Sequence, residues 1–212
     1  MFDAILFDLD NTLYAPERQL FSLIDVRINR YMEDVAGIPG AEVDGLRRRY
    51  WAEYGVTLQG LMRHHGVDPE DYLAYVHDVD VNARLHPDPA LRHALRPLPG
   101  RKAVFTNGTR DHAERVLRAL ELEDLFDAIF DIRVASYLPK PDPAPYRKVL
   151  QSLDVAAERC LMVEDSAANL KTAKALGMGT VLVGGGKKEA FVDAVIPAVS
   201  RLPETLPIWA TP

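Results

Sequence analysis

The 212-residue sequence contains a single cysteine, Cys160, so no disulfide bond can form within the chain. The sequence therefore gives no sign of an oxidising compartment, and Cys160 is expected to be buried in a strand. Apolar runs are also short, and none approaches the roughly 18 residues that span a bilayer. The start, Met1-Phe2-Asp3, has neither a basic region nor an apolar signal segment. We therefore expect a cytoplasmic protein with no membrane partner.

Positive charge is not in excess either, since 31 acidic residues stand against 25 lysines and arginines, for a formal charge of −6. This balance argues against a nucleic acid polymer or an anionic lipid surface as partner, although a few local donors can still hold a small anionic substrate. Repeats and low-complexity tracts are absent. The hydrophobic fraction of 48% and the charged fraction of 26% are ordinary for globular proteins, which excludes a disordered or fibrous chain.

Short apolar runs alternate with helical patterns along most of the chain. Such runs predict strands buried on both faces, as in a parallel sheet. The candidate strands are residues 4–7, 103–105, 128–130, 161–163 and 181–183. Helices are predicted from Asp111 to about Leu120, from Ala144 to about Leu153 and from Ala167 to about Leu176. The alternation predicts an α/β fold with a parallel sheet.

The stretch from about Tyr14 to about His86 differs because it contains no strand-like run. Apolar residues recur there at helical spacing, and segments with glycine and proline at residues 37–40 and 66–69 interrupt the pattern. We expect about three to five helices inserted after the first strand. The core is then residues 1–14 and 87–212, and the helical insertion is residues 15–86. The alternative is one continuous domain with an unusual helical half.

The first motif, Asp8-Leu9-Asp10-Asn11-Thr12, directly follows the first predicted strand. Ligands of open α/β sheets bind just outside the carboxyl ends of the strands, and side chains two apart in an extended segment share a face. Two carboxylates this close repel each other unless a cation lies between them. The pair indicates a functional site, although a turn or a helix N-cap uses the same residue types.

The second motif, Thr106-Asn107-Gly108, follows the strand predicted at residues 103–105. A hydroxyl, an amide and a permissive glycine at a strand end can bind phosphate oxygens through side chains and backbone N–H groups. Asn-Gly is also common in ordinary turns, so this motif is weak by itself.

The third motif is Lys140, which stands between two prolines in the segment LPKPDP at residues 138–143. Proline restricts its own backbone and that of the residue before it, so this lysine can serve as a fixed counter-charge to a phosphate or carboxylate. The alternative is a solvated lysine in a turn.

The fourth motif, Glu164-Asp165, follows the strand at residues 161–163 and precedes the helix that contains Asn169. An aspartate there is a common helix N-cap, but it can also ligate a hard cation, because Mg²⁺ takes one or two carboxylates together with phosphate and water. All four motifs follow strands predicted for one sheet, so they can converge. Together they predict Mg²⁺-dependent phosphoryl transfer.

These four motifs, in this order, resemble those of the haloacid dehalogenase-like hydrolase superfamily, and the resemblance extends over nearly the whole chain. It implies a Rossmann-like three-layer core with an inserted all-helical cap domain. Further stretches resemble the pyrimidine 5′-nucleotidase branch, at residues 10–14, 54–61, 75–78 and 106–117.

The resemblance also implies catalytic roles. Asp8 would attack the substrate and form an aspartyl-phosphate. Asp10 would protonate the leaving alcohol and then deprotonate the attacking water, which requires surroundings that raise its pKa. Thr106 and Asn107 would bind the phosphoryl oxygens, and Lys140 would neutralise Asp8 and the phosphate together.

A Mg²⁺ site is implied by the same resemblance. Its ligands would be the Asp8 carboxylate, the Asp10 backbone carbonyl and the Asp165 carboxylate. Glu164 would act through a bound water, and Asn169 would lie just outside the ligands.

The helical insertion would close over the site, exclude water and select the substrate. Six of the eight tyrosines lie between Tyr14 and Tyr75. Tyr50 or Tyr54 can therefore stack on a nucleobase, with helix packing as the alternative. Five of the six histidines lie between His64 and His93 without metal-ligand spacing, which favours packing or surface positions.

Two positions depart from the family pattern. Glu164-Asp165 stands where many relatives have two aspartates, and the same pair occurs in phosphomutase-like relatives. Glu121 follows the helix that ends near Leu120, where relatives often have glycine. A non-glycine residue in the left-handed region costs about 1 kcal/mol.

The sequence thus predicts a Mg²⁺-dependent phosphatase, monomeric or homodimeric, whose leading substrate is a pyrimidine nucleoside 5′-monophosphate. The alternatives are a phosphatase or phosphomutase for a sugar phosphate or phosphoglycolate, a haloacid dehalogenase, and a silent phosphate-binding protein. Asp10 counts against a dehalogenase, which has no alkoxide to protonate. The intact set of Asp8, Asp10, Lys140 and Asp165 counts against a silent protein.

Overall fold

The computed structural model describes residues 2–209, whose centre is a six-stranded sheet in the order β3-β2-β1-β4-β5-β6. Every neighbouring pair of strands is parallel, so the predicted α/β fold with a parallel sheet is confirmed. The strands are β1 (Ala4–Phe7), β2 (Arg101–Phe105), β3 (Ala128–Phe130), β4 (Cys160–Glu164), β5 (Gly179–Val183) and β6 (Ala194–Ile196). The α-helices are α1 (Leu20–Arg30), α2 (Gly40–Tyr54), α3 (Thr57–His65), α4 (Pro69–His77), α5 (Pro89–Leu95), α6 (Arg110–Ala119), α7 (Pro143–Leu153) and α8 (Ala167–Ala175).

The central strands are continuous apolar runs because both faces of the sheet are covered. All residues of β1, β4 and β5 are buried, including Cys160. Side chains alternate between the two faces along a strand, so Phe7 belongs to the apolar cluster on one side and Leu6 to the cluster on the other. The result is a three-layer core of helices, sheet and helices.

Two elements of the core are missing from the sequence prediction. The edge strand β6, Ala194–Ile196, has three residues and was not among the candidate strands. Helix α5 lies just after the boundary predicted at residues 86–87, in a stretch for which we predicted no helix. Asp88 caps this helix by accepting a hydrogen bond from the backbone of Leu91 at 2.9 Å, and Pro89 fits the first helical turn because no N–H is needed there.

Helix α6 begins differently from the prediction. Its N-cap is Thr109, whose hydroxyl accepts a hydrogen bond from the backbone N–H of His112 at 3.2 Å, so the helix begins at Arg110 and Asp111 lies inside it. Beyond its other end, Glu121 has a φ of 56°, the left-handed conformation that the family pattern suggested. Helices α7 and α8 confirm the predictions at residues 144–153 and 167–176 to within one residue.

Helices α1 to α4 occupy the helical insertion, and the described chain has no strand between β1 and β2. A π-helical turn, Tyr31–Val35, follows α1. The insertion has an apolar cluster of its own, which includes Ile24, Leu61 and Leu73. The predicted interruptions fall between helices, and Gly55, with φ of 83°, adds one between α2 and α3. The domain boundaries at residues 14–15 and 86–87 stay a prediction.

Contacts with the core hold the helical insertion over the carboxyl ends of the strands. A Cβ atom on Gly55 would lie 3.1 Å from the carbonyl oxygen of Lys140, so the backbones approach closely here. Gln59 Nε2 donates a hydrogen bond to the carbonyl of Tyr137 at 2.6 Å. Arg133 donates two hydrogen bonds to the Glu70 carboxylate, at 2.8 and 2.6 Å.

Within residues 2–209, no helix has the length and apolar character needed to cross a membrane.

Candidate active site

The carboxyl ends of β1, β2 and β4 are adjacent because β1 lies between the other two strands. Asp8 directly follows β1, Thr106 follows β2, and Glu164 ends β4. A cavity of about 930 Å³ lies between this sheet edge and the helical insertion. Its lining includes all the site residues that the sequence predicted, namely Asp8, Asp10, Thr106, Asn107, Lys140, Glu164, Asp165 and Asn169. The fold therefore brings the four motifs together.

Lys140 is a fixed, buried cation, with 1% of its surface exposed. Its ammonium group donates three hydrogen bonds of 2.7 Å, to Asp8 Oδ1, Glu164 Oε2 and the carbonyl oxygen of Phe105. These use all three N–H donors of the group. Burial alone would lower the pKa of Lys140, but the charges of Asp8 and Glu164 raise it above its ordinary value. The alternative of a solvated lysine is therefore excluded.

The two carboxylates that share Lys140 are only partly neutralised. Burial and the charge of Glu164 raise the pKa of Asp8 to about 7, against the opposing effect of Lys140. Burial likewise raises the pKa of Glu164 to about 7; Lys140 opposes this rise, and the charge of Asp165 adds to it. One ammonium group thus faces more negative charge than it can balance, which favours a further cation at this site.

The acidic groups fit a magnesium ion. One carboxylate oxygen from each of Asp8, Glu164 and Asp165 lies within 4.8 Å of the others. Mg²⁺ binds oxygen ligands at about 2.0–2.1 Å in an octahedron, so opposite ligands are about 4 Å apart. Both Glu164 oxygens already accept hydrogen bonds, from Lys140 and from the backbone of Ser166. Asp8 and Asp165 are therefore the better direct ligands.

Two neighbours complete this side of the cavity. The hydroxyl of Thr12 donates a hydrogen bond to Asp165 Oδ1 at 3.3 Å, which limits the orientation of that carboxylate. Asn169, in the first turn of α8, lines the same cavity.

Thr106 and Asn107 differ in which hydrogen-bond donors remain available to a ligand. Thr106 Oγ1 accepts a hydrogen bond from the backbone of Gly108 at 2.9 Å, so its O–H remains available as a donor. Asn107 Nδ2 donates to the carbonyl of Lys140 at 3.0 Å, and its Oδ1 accepts from the backbone N–H of Lys140 at 2.8 Å. Asn107 therefore fixes the segment that carries Lys140, and one amide N–H is left for a ligand.

Asp10 sits in surroundings that stabilise its charged form. Its Oδ1 accepts hydrogen bonds from the Tyr14 hydroxyl at 2.5 Å and from His112 Nε2 at 2.8 Å. Burial raises the pKa of Asp10, but His112 and Tyr14 outweigh burial, and the pKa lies below its ordinary value. The expectation that its surroundings raise this pKa is therefore wrong, because both donors bond to the carboxylate.

Residues 2–177 match the family described as haloacid dehalogenase-like hydrolases. The chain belongs to this family. The hydrolase is 30% identical to phosphate metabolism protein 8 of Saccharomyces cerevisiae, over 83% of its own length and 60% of the yeast protein. It is 33% identical to a phosphoglycolate phosphatase of Rhodospirillum rubrum, over 86% of its own length and 80% of that protein.

A solved structure is similar over almost the whole hydrolase. The crystal structure of CbbY from Rhodobacter sphaeroides in complex with phosphate matches with a TM-score of 0.67 and 25% identity, covering 95% of this chain and 96% of that one. None of these three proteins is named a nucleotidase. The assignment to the pyrimidine 5′-nucleotidase branch stays a prediction.

The tyrosines of α2 have different surroundings in this hydrolase. Tyr50 is 1% exposed, packs on Gly60 and hydrogen bonds with His65 Nε2 at 2.9 Å, so it is a packing residue. Tyr54 lines the cavity, and the guanidinium of Arg63 lies 4.7 Å from the centre of its ring. Trp51 also lines the cavity and is 64% exposed.

Sequence reasoning missed two buried histidines. His112 bonds to Asp10, and its ring lies 4.9 Å from that of His77, which comes from the helical insertion. His77 is among the histidines expected at packing or surface positions, and His112 stands in a predicted helix and in the stretch at residues 106–117 that resembles the nucleotidase branch, without a role of its own. One feature of the sequence could have indicated a site role for His112, because this residue lies in the first turn of the helix that follows the Thr106 motif.

Proposed function

We propose that this hydrolase is a Mg²⁺-dependent phosphatase that removes phosphate from a small monoester through a phosphorylated Asp8. The proposal rests on the groups gathered around one carboxylate. Lys140 bonds to Asp8 at 2.7 Å, and the Thr106 hydroxyl and the Asp165 carboxylate line the same cavity. A fixed cation, a hydroxyl donor and a second carboxylate are the groups needed to bind and stabilise a transferring phosphoryl group.

Asp8 is suited to attack phosphorus. Lys140 binds its Oδ1, and no donor within residues 2–209 hydrogen bonds its Oδ2, which leaves that oxygen free as the nucleophile. As Oδ2 bonds to phosphorus, the ester P–O bond breaks and the leaving oxygen takes a proton. Water then attacks the phosphorus of the aspartyl-phosphate, and the carboxylate of Asp8 is restored.

Asp10 is suited to move the two protons. In the resting site it is ionised, because His112 and Tyr14 bond to its anion. A phosphoryl dianion bound beside it adds a like charge, which raises its pKa at the stage when an acid is needed. Asp10 then protonates the leaving alkoxide, and as the conjugate base it takes a proton from the attacking water.

The Mg²⁺ ion would be held by the carboxylates of Asp8 and Asp165 and by the backbone carbonyl of Asp10. When bound, it supplies positive charge to the phosphoryl oxygens in the transition state. Glu164 also accepts a hydrogen bond from Lys140 and would reach the ion through water, because both its oxygens already accept hydrogen bonds.

The substrate class that we propose is a small phosphorylated acid or sugar. The similarity to a phosphoglycolate phosphatase supports this class over a nucleotide, whereas the similarity to a phosphate-bound structure supports a phosphate ester in general. Burial of Tyr50 also removes one of the two tyrosines proposed to stack on a base. A nucleoside 5′-monophosphate is the second candidate, because Trp51 and Tyr54 both line the cavity.

Phosphate release from a panel of monoesters, with and without Mg²⁺, tests the proposal. The panel holds phosphoglycolate, sugar phosphates and the uridine, cytidine, adenosine and guanosine monophosphates, with Asp8→Asn as the blank. We expect Mg²⁺-dependent release that is led by phosphoglycolate or a sugar phosphate. A lead of about tenfold in kcat/KM, equal to 1.4 kcal/mol, for pyrimidine monophosphates would favour the nucleotidase instead. A sugar phosphate that isomerises without releasing phosphate would indicate a mutase.

A Mg²⁺ titration separates the metal site from the rest of the chemistry. Asp165→Ala should raise the Mg²⁺ concentration needed for half-maximal activity at least about tenfold, because it removes a direct ligand. Asp193→Asn, on the far side of β5 from β4, is the matched control and should leave the titration unchanged. An unchanged titration in Asp165→Ala would remove this residue from the metal site.

A further inference from the structure

Asp10 is held through only one of its two carboxylate oxygens. His112 Nε2 and the Tyr14 hydroxyl both bond to Oδ1, at 2.8 and 2.5 Å. Within residues 2–209, no donor hydrogen bonds Oδ2, and Asp10 lines the cavity. The two donors thus fix the plane of the carboxylate and leave one defined oxygen free to exchange a proton.

Packing alone does not explain a histidine at position 112. The side chain is 0% exposed, and its Nδ1 is the one buried side-chain polar atom without a hydrogen-bond partner in the described part of the chain. An ionised carboxylate only accepts hydrogen bonds, so Nε2 of His112 carries the proton of this bond, and Nδ1 is left buried without a partner whether or not it carries a proton. Burying such an atom destabilises the fold, and an apolar side chain would avoid the cost. The bond to Asp10 is what the imidazole provides.

The ring of His112 has little freedom to turn away from Asp10. Its backbone N–H is anchored by Thr109 at the start of α6. Its ring packs against that of His77, with the centres 4.9 Å apart. His77 is itself fixed by two hydrogen bonds. Its Nδ1 donates to the carbonyl oxygen of Leu73 at 2.9 Å, and the guanidinium of Arg115 donates to the backbone carbonyl oxygen of His77 at 2.5 Å.

We infer that His112, together with Tyr14, is a positioning residue that directs Oδ2 of Asp10 at the reacting oxygens. This inference rests on the proposed function. In the first step the proton on Oδ2 passes to the leaving oxygen as its bond to phosphorus breaks. In the second step Oδ2 takes a proton from water as the water oxygen bonds to phosphorus. His112 touches neither the substrate nor the water and acts only through Asp10.

Leaving-group dependence distinguishes this role from a structural one. An alkoxide needs a proton as it leaves, whereas 4-nitrophenolate, a weak base, leaves without one. We expect His112→Leu to lower the ratio of kcat/KM for an alkyl phosphate to that for 4-nitrophenyl phosphate by about tenfold, and Asp10→Asn to lower it by about a hundredfold. The ratio is measured in one sample, so it does not depend on the fraction of folded enzyme.

Two further substitutions allow the same test if His112→Leu does not fold. In His112→Gln the amide nitrogen reaches about the position of Nε2, so we expect it to restore most of the ratio. In His112→Asn the amide is one carbon too short and should not restore it. His93→Leu, an exposed histidine on α5, is the matched control and should leave the ratio unchanged.

The results separate the inference from the proposed function. A normal ratio in His112→Leu or His112→Asn, beside a lowered ratio in Asp10→Asn, would overturn the positioning role alone. A normal ratio in Asp10→Asn would remove the acid role of Asp10 and the inference with it. No hydrolysis of any monoester by the native enzyme with Mg²⁺ would overturn both.

Discussion

The two walls of the cavity are built in different ways. At the sheet edge, Asp8, Lys140 and Glu164 are buried and joined by hydrogen bonds of 2.7 Å. On the insertion side, Trp51 is 64% exposed, and Arg63 is exposed and forms no ion pair within residues 2–209. A rigid, hydrogen-bonded wall suits chemistry that needs fixed charges, whereas an open wall suits the choice of substrate. Changes at the sheet edge should therefore affect turnover, and changes in the insertion should affect specificity.

The largest effect is expected for Asp8→Asn, which removes the nucleophile at the centre of the rigid wall. We expect kcat for phosphate release to fall by on the order of a thousandfold or more, with the fold retained. Circular dichroism checks the fold, and Asp124→Asn, an exposed partner of Arg92, is the matched control that should keep full activity. Normal turnover in Asp8→Asn would remove the covalent mechanism.

Lys140→Met tests whether the rigid wall depends on its buried cation. Removing one partner of a buried ion pair costs about 3–5 kcal/mol in the free energy of unfolding, because the remaining charges lose their compensation. The loss of unfolding free energy in Lys140→Met, relative to the native enzyme, should be smaller at pH 6 than at pH 8. With Lys140 present, Asp8 and Glu164 have pKa values raised to about 7, and without it they bind protons more readily still. The folded state then takes up protons that the unfolded state does not, so stability rises as pH falls.

Denaturant unfolding in EDTA at the two pH values measures this difference. Lys171→Met, an exposed lysine on α8, is the control and should change the stability by no more than about 0.5 kcal/mol. A loss in Lys140→Met that is equal at pH 6 and pH 8 would contradict the account of the two shared carboxylates.

His77 gives the insertion side one buried titratable group that faces the core. Burial, with the charge of His112, lowers the pKa of His77 to about 4 from its ordinary 6.5. Between these values the unfolded state binds a proton that the folded state excludes, so stability should fall as pH falls, by on the order of 3 kcal/mol in all. His77→Gln should flatten the dependence of unfolding free energy on pH between 6.5 and 4. His93→Gln should leave it steep, and an equally steep dependence in both variants would assign the effect to other groups.

The smallest expected effect is on substrate choice. Arg63 lies over Tyr54 on the open wall and has no carboxylate partner within residues 2–209, so it is available to a second anionic group on the substrate. Arg63→Ala should raise KM for phosphoglycolate by about tenfold, or 1.4 kcal/mol, with little change in kcat. KM for an uncharged alkyl phosphate should not change. Arg30→Ala, on α1 away from the cavity, is the control, and equal changes for both substrates would assign Arg63 to packing.

The difference between the two walls also explains what the sequence could predict. Asp8, Thr106, Lys140 and Asp165 each follow a strand or stand in a short motif, so local patterns identify them and a parallel sheet brings them together. The contact between His112 and Asp10 depends on how α6 packs beside β1, which no local pattern specifies. The same holds for Trp51 and Tyr54, because helix packing and cavity lining use the same residue types.

The electrostatic state of the site was harder to predict than its composition. The acid role that the family resemblance implies for Asp10 requires surroundings that raise its pKa. In the folded chain Asp8 is the acid with the raised pKa, because it is buried beside Glu164, while His112 and Tyr14 lower the pKa of Asp10. The direction of each pKa shift therefore depended mainly on Glu164 and His112, which lie far away in the sequence, whereas Tyr14 is only four residues from Asp10.

Chemical trapping of the phosphorylated enzyme tests the central claim most directly. The native enzyme is quenched during turnover of its best monoester with Mg²⁺ and treated with borohydride, which reduces an aspartyl-phosphate to homoserine. Peptide mass spectrometry then locates the change. The account predicts homoserine at position 8, dependent on both substrate and Mg²⁺. Steady phosphate release with an unmodified residue 8, or with the change at another carboxylate, would contradict it.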